Sequence, residues 1–162
     1  MSALIFWKGV SYLADLQLIV PLSIVLMLWL WHQKKYNGVL FLFVCFYGGA
    51  FLNSILKKII QRPRPVDALI PVGGYSFPSG HVMSAILFYS LIIILFMHQI
   101  KNTKIRYGFL TVNIIIILMV GLSRIMLKVH YVSDVLGAFA IGLLWLWLLW
   151  GIFPRIGGEI EG

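Results

Sequence analysis

Five runs of apolar residues, at about 12–31, 39–56, 81–97, 107–122 and 135–153, set what this chain can fold into. An α-helix crosses the hydrocarbon core of a bilayer in roughly 17–25 residues, and each run approaches or reaches that length. In lipid every backbone N–H and C=O must find its partner within the chain, which for runs of this length means helices. Only 11% of the 162 residues are charged, against roughly a quarter in a soluble domain. The expected fold is an all-α integral membrane helical bundle with five spans, a single domain over 1–162. Residues 1–9 are apolar and aromatic but too short to span, and are expected in the interface.

Lys and Arg number 13 against 5 Asp and Glu. They are dispersed at the ends of the apolar runs, a pattern of topology and anionic headgroups that argues against nucleic acid as a partner. With five spans, 57–80 and 123–134 share one side with Lys8 and Asp15. Loops 32–38 and 98–106 and the tail share the other. The first side holds seven Lys and Arg and the second six. Setting Lys57, Arg64 and Arg124 aside as chemical leaves four against six, which puts 32–38 and 98–106 in the cytoplasm and the polar side outward. The lone Cys45 cannot form an intrachain disulfide, and no cleavable signal peptide is evident. Trp145, Trp147 and Trp150 read as an interfacial belt, Gly48 and Gly49 as a close helix contact or a kink, and the tail GGEIEG as frayed.

The polar residues gather in three places. Lys57 begins KKIIQRPRP, whose prolines forbid a continuous helix. Pro78-Ser79-Gly80-His81 opens the third span, with serine suited to cap a helix. Ser123-Arg124, His130 and Asp134 lie between the fourth and fifth spans. His130 and Asp134 are four apart, so on one helix they would share a face, and a carboxylate against an imidazole fixes its tautomer. Five spans bring all three clusters to one face of the membrane. Ionisable groups at such depth are costly and mark function. Fixed cations with two histidines and a carboxylate suit phosphoryl transfer, whose transition state spreads negative charge over three equatorial oxygens. Arg64 and Arg124 offer planar forks, Lys57 a point charge, and the helix start at Ser79-Gly80 backbone N–H groups.

These clusters resemble the signature of the type-2 phosphatidic acid phosphatase superfamily, the lipid phosphate phosphatases: K-x6-RP, then PSGH, then SR-x5-H-x3-D. Every fixed position is present, in order, within 57–134. The resemblance implies an α-helical bundle that hydrolyses lipid phosphates without a metal or other cofactor, through a phosphohistidine. Carried over by residue, it implies that His130 is the nucleophile, that Asp134 orients it, and that His81 is the general acid. It implies phosphate binding by Lys57, Arg64, Ser79, Gly80 and Arg124. Spacing from Lys57 selects Arg64 over Arg62 in the arginine-proline repeat.

Members of that family commonly have six spans. The five counted here imply either an N-terminal helix lost or removed, or a shortened one in residues 1–9. The expected partners are a membrane lipid phosphate and the bilayer, with no obligate protein partner inferred. Undecaprenyl pyrophosphate, phosphatidylglycerophosphate and phosphatidate all fit, with a lean to the first two. Short loops and a small bundle point to a bacterial inner membrane, with the site facing outward. Two rivals stand beside this reading. Vanadium haloperoxidases are similar at the same motifs but are large and soluble. A non-catalytic lipid-phosphate binding or transport protein would use the same basic cluster, but the intact histidines and Asp134 argue against it. Asn53 is expected either to support Lys57 or to pack between helices, and Tyr75 and Phe77 to line a lipid entry or to pack. Nothing resembles a structural zinc site.

Overall fold

The computed structural model describes residues 2–153. Among them the chain forms helices and no strand. Helix α1 is Ser2–Tyr12, α2 is Leu16–His32, and α3 is Tyr36–Phe43. A π-helical segment, Val44–Gly48, joins α3 to α4, Gly49–Ile60. Helix α5 is Gly80–Phe96, followed by a single 3₁₀ turn at Met97–Gln99. Helices α6, Thr103–Met126, and α7, Val132–Ile152, complete the bundle. Five segments are long and apolar enough to span a bilayer: Ser2–His32, Tyr36–Ile60, Gly80–Gln99, Thr103–Met126 and Val132–Ile152. The count agrees with the sequence. The first segment differs in form, because residues 2–12 are helical, pack against α6 and lead through a turn into α2. The GGEIEG tail lies outside the described residues.

Helix α5 is the axis of the bundle and touches α2, α4, α6 and α7. Its residues from Val82 to Phe88 are all buried, then Leu91 and Leu95. A helix apolar on every side belongs in the middle. The outer helices turn large apolar side chains outward, among them Val25, Leu28, Ile115, Leu118, Leu143 and Trp147. In a membrane these meet lipid tails, so helix association rests on close packing and a few internal hydrogen bonds.

The glycine pair makes the expected close helix contact. Gly48 closes the π segment, and a Cβ on Gly49 would fall 2.2 Å from Leu87 Cδ1, so α4 and α5 meet there. Trp145 Nε1–H donates to the Cys45 carbonyl inside that π segment at 3.0 Å. Trp145 is therefore an internal strut that satisfies an irregular stretch of backbone, which corrects its reading as part of an interfacial belt. Trp147 and Trp150 remain exposed.

Four helix termini meet at one end of the bundle: the last turns of α4 and α6 and the first turns of α5 and α7. Residues 61–79 fold back across that end. Ser76 N–H donates to the Arg62 carbonyl at 2.8 Å, and Ser76 Oγ–H to the Pro63 carbonyl at 3.0 Å. Leu69 N–H donates to Leu127 O at 3.0 Å, and Asp67 pairs with Lys128 at 2.6 Å. Phe77 lies on α7, where a Cβ on Gly137 would come within 2.4 Å of its ring. Phe77 is thus a packing residue that holds the Pro78–Gly80 stretch against α7. Gly137→Ala is expected to cost about 1–3 kcal/mol of stability through overpacking, with activity falling as the loop shifts. Thermal melts in detergent check this. Gly151→Ala, where an added Cβ meets nothing within 4 Å, should show no loss.

Candidate active site

Helix α6 ends at Met126, and the chain reverses over five residues before α7. Leu127 and Val129 are buried apolar anchors on either side of Lys128, which takes a left-handed conformation at φ 54° and faces out. His130 follows Val129 inward rather than continuing the alternation, and is only 4% exposed. His130 precedes α7 and Asp134 lies in its first turn, so the two do not share a helix as the four-residue spacing suggested. The turn itself brings His130 Nδ1 to 3.5 Å from Asp134 Oδ2. That distance is an electrostatic contact, and Nδ1 has no formed hydrogen bond.

Asp134 is fully buried. Its Oδ2 accepts from Tyr131 N–H at 2.9 Å, and its Oδ1 accepts from Arg62 Nη1–H at 2.7 Å. The Asp134 carbonyl accepts from Ser79 N–H at 3.2 Å, joining the second cluster to the third. Arg62 also donates to Ser133 Oγ at 2.6 Å and lies over the Tyr131 ring at 4.2 Å from its centre.

Arg64 joins the first cluster to the third. Its Nε–H donates to the Gly73 and Gly74 carbonyls, each at 3.1 Å, and its Nη1–H to Val129 O at 2.9 Å. The same Nη1 stands 3.3 Å from His130 Nε2. A carboxylate beside Nδ1 and a guanidinium beside Nε2 suit the tautomer with its proton on Nδ1 and its lone pair on Nε2. Burial, with Arg64, Arg124 and Lys57 adding repulsion, holds His130 far below the ordinary imidazole value of 6.5, at about 2. His130 is therefore neutral across the working pH range.

The other expected residues surround this core. Lys57, on the last turn of α4, donates to Tyr75 O at 2.7 Å. Ser79 caps the start of α5 in position only, because its Oγ is buried and makes no hydrogen bond within the chain. Gly80 has room on the protein side, where a Cβ would meet Asn53 Oδ1 at an ordinary 3.6 Å. Asn53 braces this segment through Pro78 O and Met83 Sδ, each at 3.5 Å, and makes no bond to Lys57. Arg124, 3% exposed, donates through Nη1 to Ser11 Oγ, while its Nε is buried without a partner. His81 Nε2 stands 3.7 Å from Asp15 Oδ2. No hydrogen bond or ion pair links His81 directly to His130 among the described residues, although Arg64 and Arg124 act electrostatically on both.

Buried polar atoms in proteins are nearly always paired. Here Ser79 Oγ and Arg124 Nε come from different clusters, and an oxyanion with several acceptor oxygens suits both. Among the described residues no group of three or more His, Cys, Asp or Glu side chains is placed to share a metal ion. Sequence reasoning set Arg62 aside and did not foresee Ser11 or Asp15 in the site. The arginine-proline repeat and a charge at the head of an apolar run were signals for Arg62 and Asp15, and Ser11 gave none.

These groups gather into a cationic, histidine-bearing cluster at one end of a membrane-spanning helical bundle, an arrangement suited to a phosphate. The PAP2 superfamily model matches residues 38–157, and the chain belongs to that superfamily as a lipid phosphatase. It is 34% identical to phosphatidylglycerophosphatase B of Bacillus subtilis over 91% of this chain and 74% of that protein. It is 28% identical to an undecaprenyl-diphosphatase of Bacillus subtilis, over 82% and 67%. It is 33% identical to a lipid A 1-phosphatase of Rhizobium johnstonii, over 75% of this chain and 49% of that protein. The crystal structure of a transmembrane PAP2-type phosphatidylglycerolphosphate phosphatase from Bacillus subtilis superimposes with a TM-score of 0.82. It shares 32% identity and covers 95% of this chain and 78% of that one.

Arg62→Ala is expected to lower kcat with little change in KM. In metal sites, losing the group behind a working histidine costs on the order of 10- to 100-fold. Arg62→Lys should recover part, since lysine keeps the charge but not the flat face on Tyr131. Arg64→Ala should lose more, in kcat and KM together. Steady-state kinetics on a lipid phosphate check all three. A second outcome follows from His130. Its folded-state pKa lies below the unfolded value, so its contribution to stability is present above pH 6.5 and is lost as pH falls below it. Thermal stability in detergent should drop from pH 7.5 to pH 5, and His130→Gln should flatten that slope.

Proposed function

We propose that this chain hydrolyses a lipid phosphomonoester of the phosphatidylglycerophosphate type in two steps, through a phosphohistidine on His130 and without a metal ion. The substrate phosphate rests among Lys57, Arg64 and Arg124, with Ser79 Oγ–H and the N–H groups of the first turn of α5 completing the cage. His130 Nε2 attacks phosphorus in line. The phosphorus–oxygen bond to the lipid breaks as His81 gives its proton to the departing alkoxide. Asp134 holds the Nδ1 proton and balances the positive charge that grows on the ring. In the second step the neutral His81 takes a proton from water, which attacks the phosphohistidine and releases orthophosphate.

One observation carries this reading: the Arg64 guanidinium lies 3.3 Å from His130 Nε2, while the Asp134 carboxylate faces Nδ1. The ring is set as a nucleophile on the side where phosphate charge would collect. The choice of phosphatidylglycerophosphate leans on the 34% identity with the Bacillus subtilis enzyme of that name and on the likeness to the solved phosphatase. The 28% identity with an undecaprenyl-diphosphatase supports a diphosphate as the second candidate. An outward-facing site in a bacterial inner membrane remains the reading of the charge balance and the small bundle.

Phosphate release from a panel of phosphatidylglycerophosphate, phosphatidate and undecaprenyl pyrophosphate, each with and without EDTA, tests the proposal. Release should persist in chelator and be fastest with the first. His130→Ala should lose on the order of 10³-fold or more. An acid-labile, alkali-stable phosphoenzyme should be trapped from the wild type and absent in His130→Ala. Wild-type turnover by His130→Ala, or release abolished by EDTA, would overturn the mechanism.

A further inference from the structure

The end of α1 and the turn into α2 lie outside the residues that the family model matches, yet they meet the bundle at three points, two of them in the candidate site. Ser11 Oγ accepts from Arg124. The Leu13 carbonyl accepts from Tyr89 Oη–H of α5 at 2.8 Å. Asp15 Oδ2 stands 3.7 Å from His81 Nε2, while its Oδ1 accepts from Gln17 N–H at 2.9 Å and so caps α2. Asp15, His81, Ser11 and Arg124 border one cavity of about 250 Å³, with Lys8 at its edge.

We propose that Asp15 is the positioning residue of His81, so that the site holds two carboxylate–imidazole pairs, Asp134 with His130 and Asp15 with His81. The proposal rests on the role given to His81 above. A proton donor to a lipid alkoxide must carry its proton when the substrate is bound. The charged groups acting on His81 are Arg124 from α6, Arg64 from the crossing loop and Asp15 from the α1–α2 turn. The two guanidiniums repel an imidazolium, and Asp15 is the group of opposite sign in contact with it. Asp134 is committed elsewhere, to Arg62 and to the Tyr131 N–H. With Asp15 facing Nε2, Nδ1 is left to hand its proton to the leaving oxygen. The same pair then receives a proton from water in the second step. The tie between Ser11 and Arg124 keeps the turn in place, so phosphate grip and proton supply are anchored by one short segment.

The test compares two leaving groups. Phosphatidylglycerophosphate departs as an alkoxide that needs a proton, whereas p-nitrophenyl phosphate departs as a stable phenolate that does not. Asp15→Asn keeps the helix cap, since asparagine caps as well as aspartate, and removes the charge. It should lower kcat/KM for the alkyl ester by about tenfold or more, within the range that general acid catalysis supplies, and for the aryl ester by less than about threefold. Asp15→Ser, a second capping variant without a carboxylate, should behave alike. Asp15→Glu should recover part of the alkyl-ester activity. Wild-type kcat/KM on both esters, or an equal loss on both, would overturn the proposal. His81→Ala separates the two levels. If it shows the selective loss and Asp15→Asn does not, Asp15 has no such role and the reading of His81 stands. If His81→Ala loses equally on both esters, the acid role of His81 fails, and the role of Asp15 falls with it.

Discussion

The buried carboxylate of Asp134 is the joint on which this end of the bundle depends. It takes Arg62 from the crossing loop, the Tyr131 N–H from its own helix start and the imidazole of His130, while its backbone carbonyl takes Ser79 from the start of α5. A carboxylate removed from water costs several kcal/mol unless it is paired and hydrogen-bonded. Each of its charge-assisted bonds is worth roughly 1.5–3 kcal/mol. The balance is met only when the crossing loop brings Arg62 to the start of α7, and the Asp134 carbonyl ties the start of α5 to the same point. The assembly of the site and the tolerance of a buried anion are therefore one condition. Arg62 belongs to that condition even though it does not reach the ring that Arg64 touches.

The cations of the site occupy the same economy of charge. Lys57 and Arg124 sit on the last turns of α4 and α6, where the partial negative charge of a helix C-terminus favours them. The start of α5 presents the opposite end of a helix dipole beside them. Opposed helix directions thus build one electropositive floor without a continuous basic stretch in the sequence. Nearly every fork in this floor is also tied to a carbonyl or hydroxyl of the chain, as Arg64 is to Gly73, Gly74 and Val129. The donors are held before an anion arrives, which lowers the reorganisation needed at the moment of reaction.

Much of this was legible in the sequence, for physical reasons. Lipid admits few ways to bury a backbone, so five long apolar runs translate directly into five spanning segments. Polar residues at membrane depth are rare enough that Lys57, Arg64, His81, Arg124, His130 and Asp134 stood out once taken together, though each alone had a bland reading. What stayed hidden depends on contacts between segments. Ser11 looks like any serine near an apolar run, and only the fold brings it to Arg124. Asp15 was only a charge near the head of the first apolar run, on the side of the polar loops, until α5 placed His81 beside it. The spacing of His130 and Asp134 suggested a shared helix, but a left-handed residue at Lys128 and the buried pair Leu127 and Val129 make the contact by a turn instead. Trp145 looked like its interfacial neighbours because nothing in its sequence neighbourhood announces a π-helical partner.

That π-helical stretch at Val44–Gly48 also sets a rotational phase. A π turn carries one residue more than an α turn, and each α-helical residue advances the screw by about 100°. Without the extra residue, everything downstream in α4, Asn53 and Lys57 included, would face roughly a quarter-turn away from its present direction. The upstream half of this span packs by its own face against α2, and the downstream half can still aim its polar side at the catalytic end. The irregularity works as a gear offset within a single membrane crossing, letting one continuous rod serve two neighbours whose demands do not share a period.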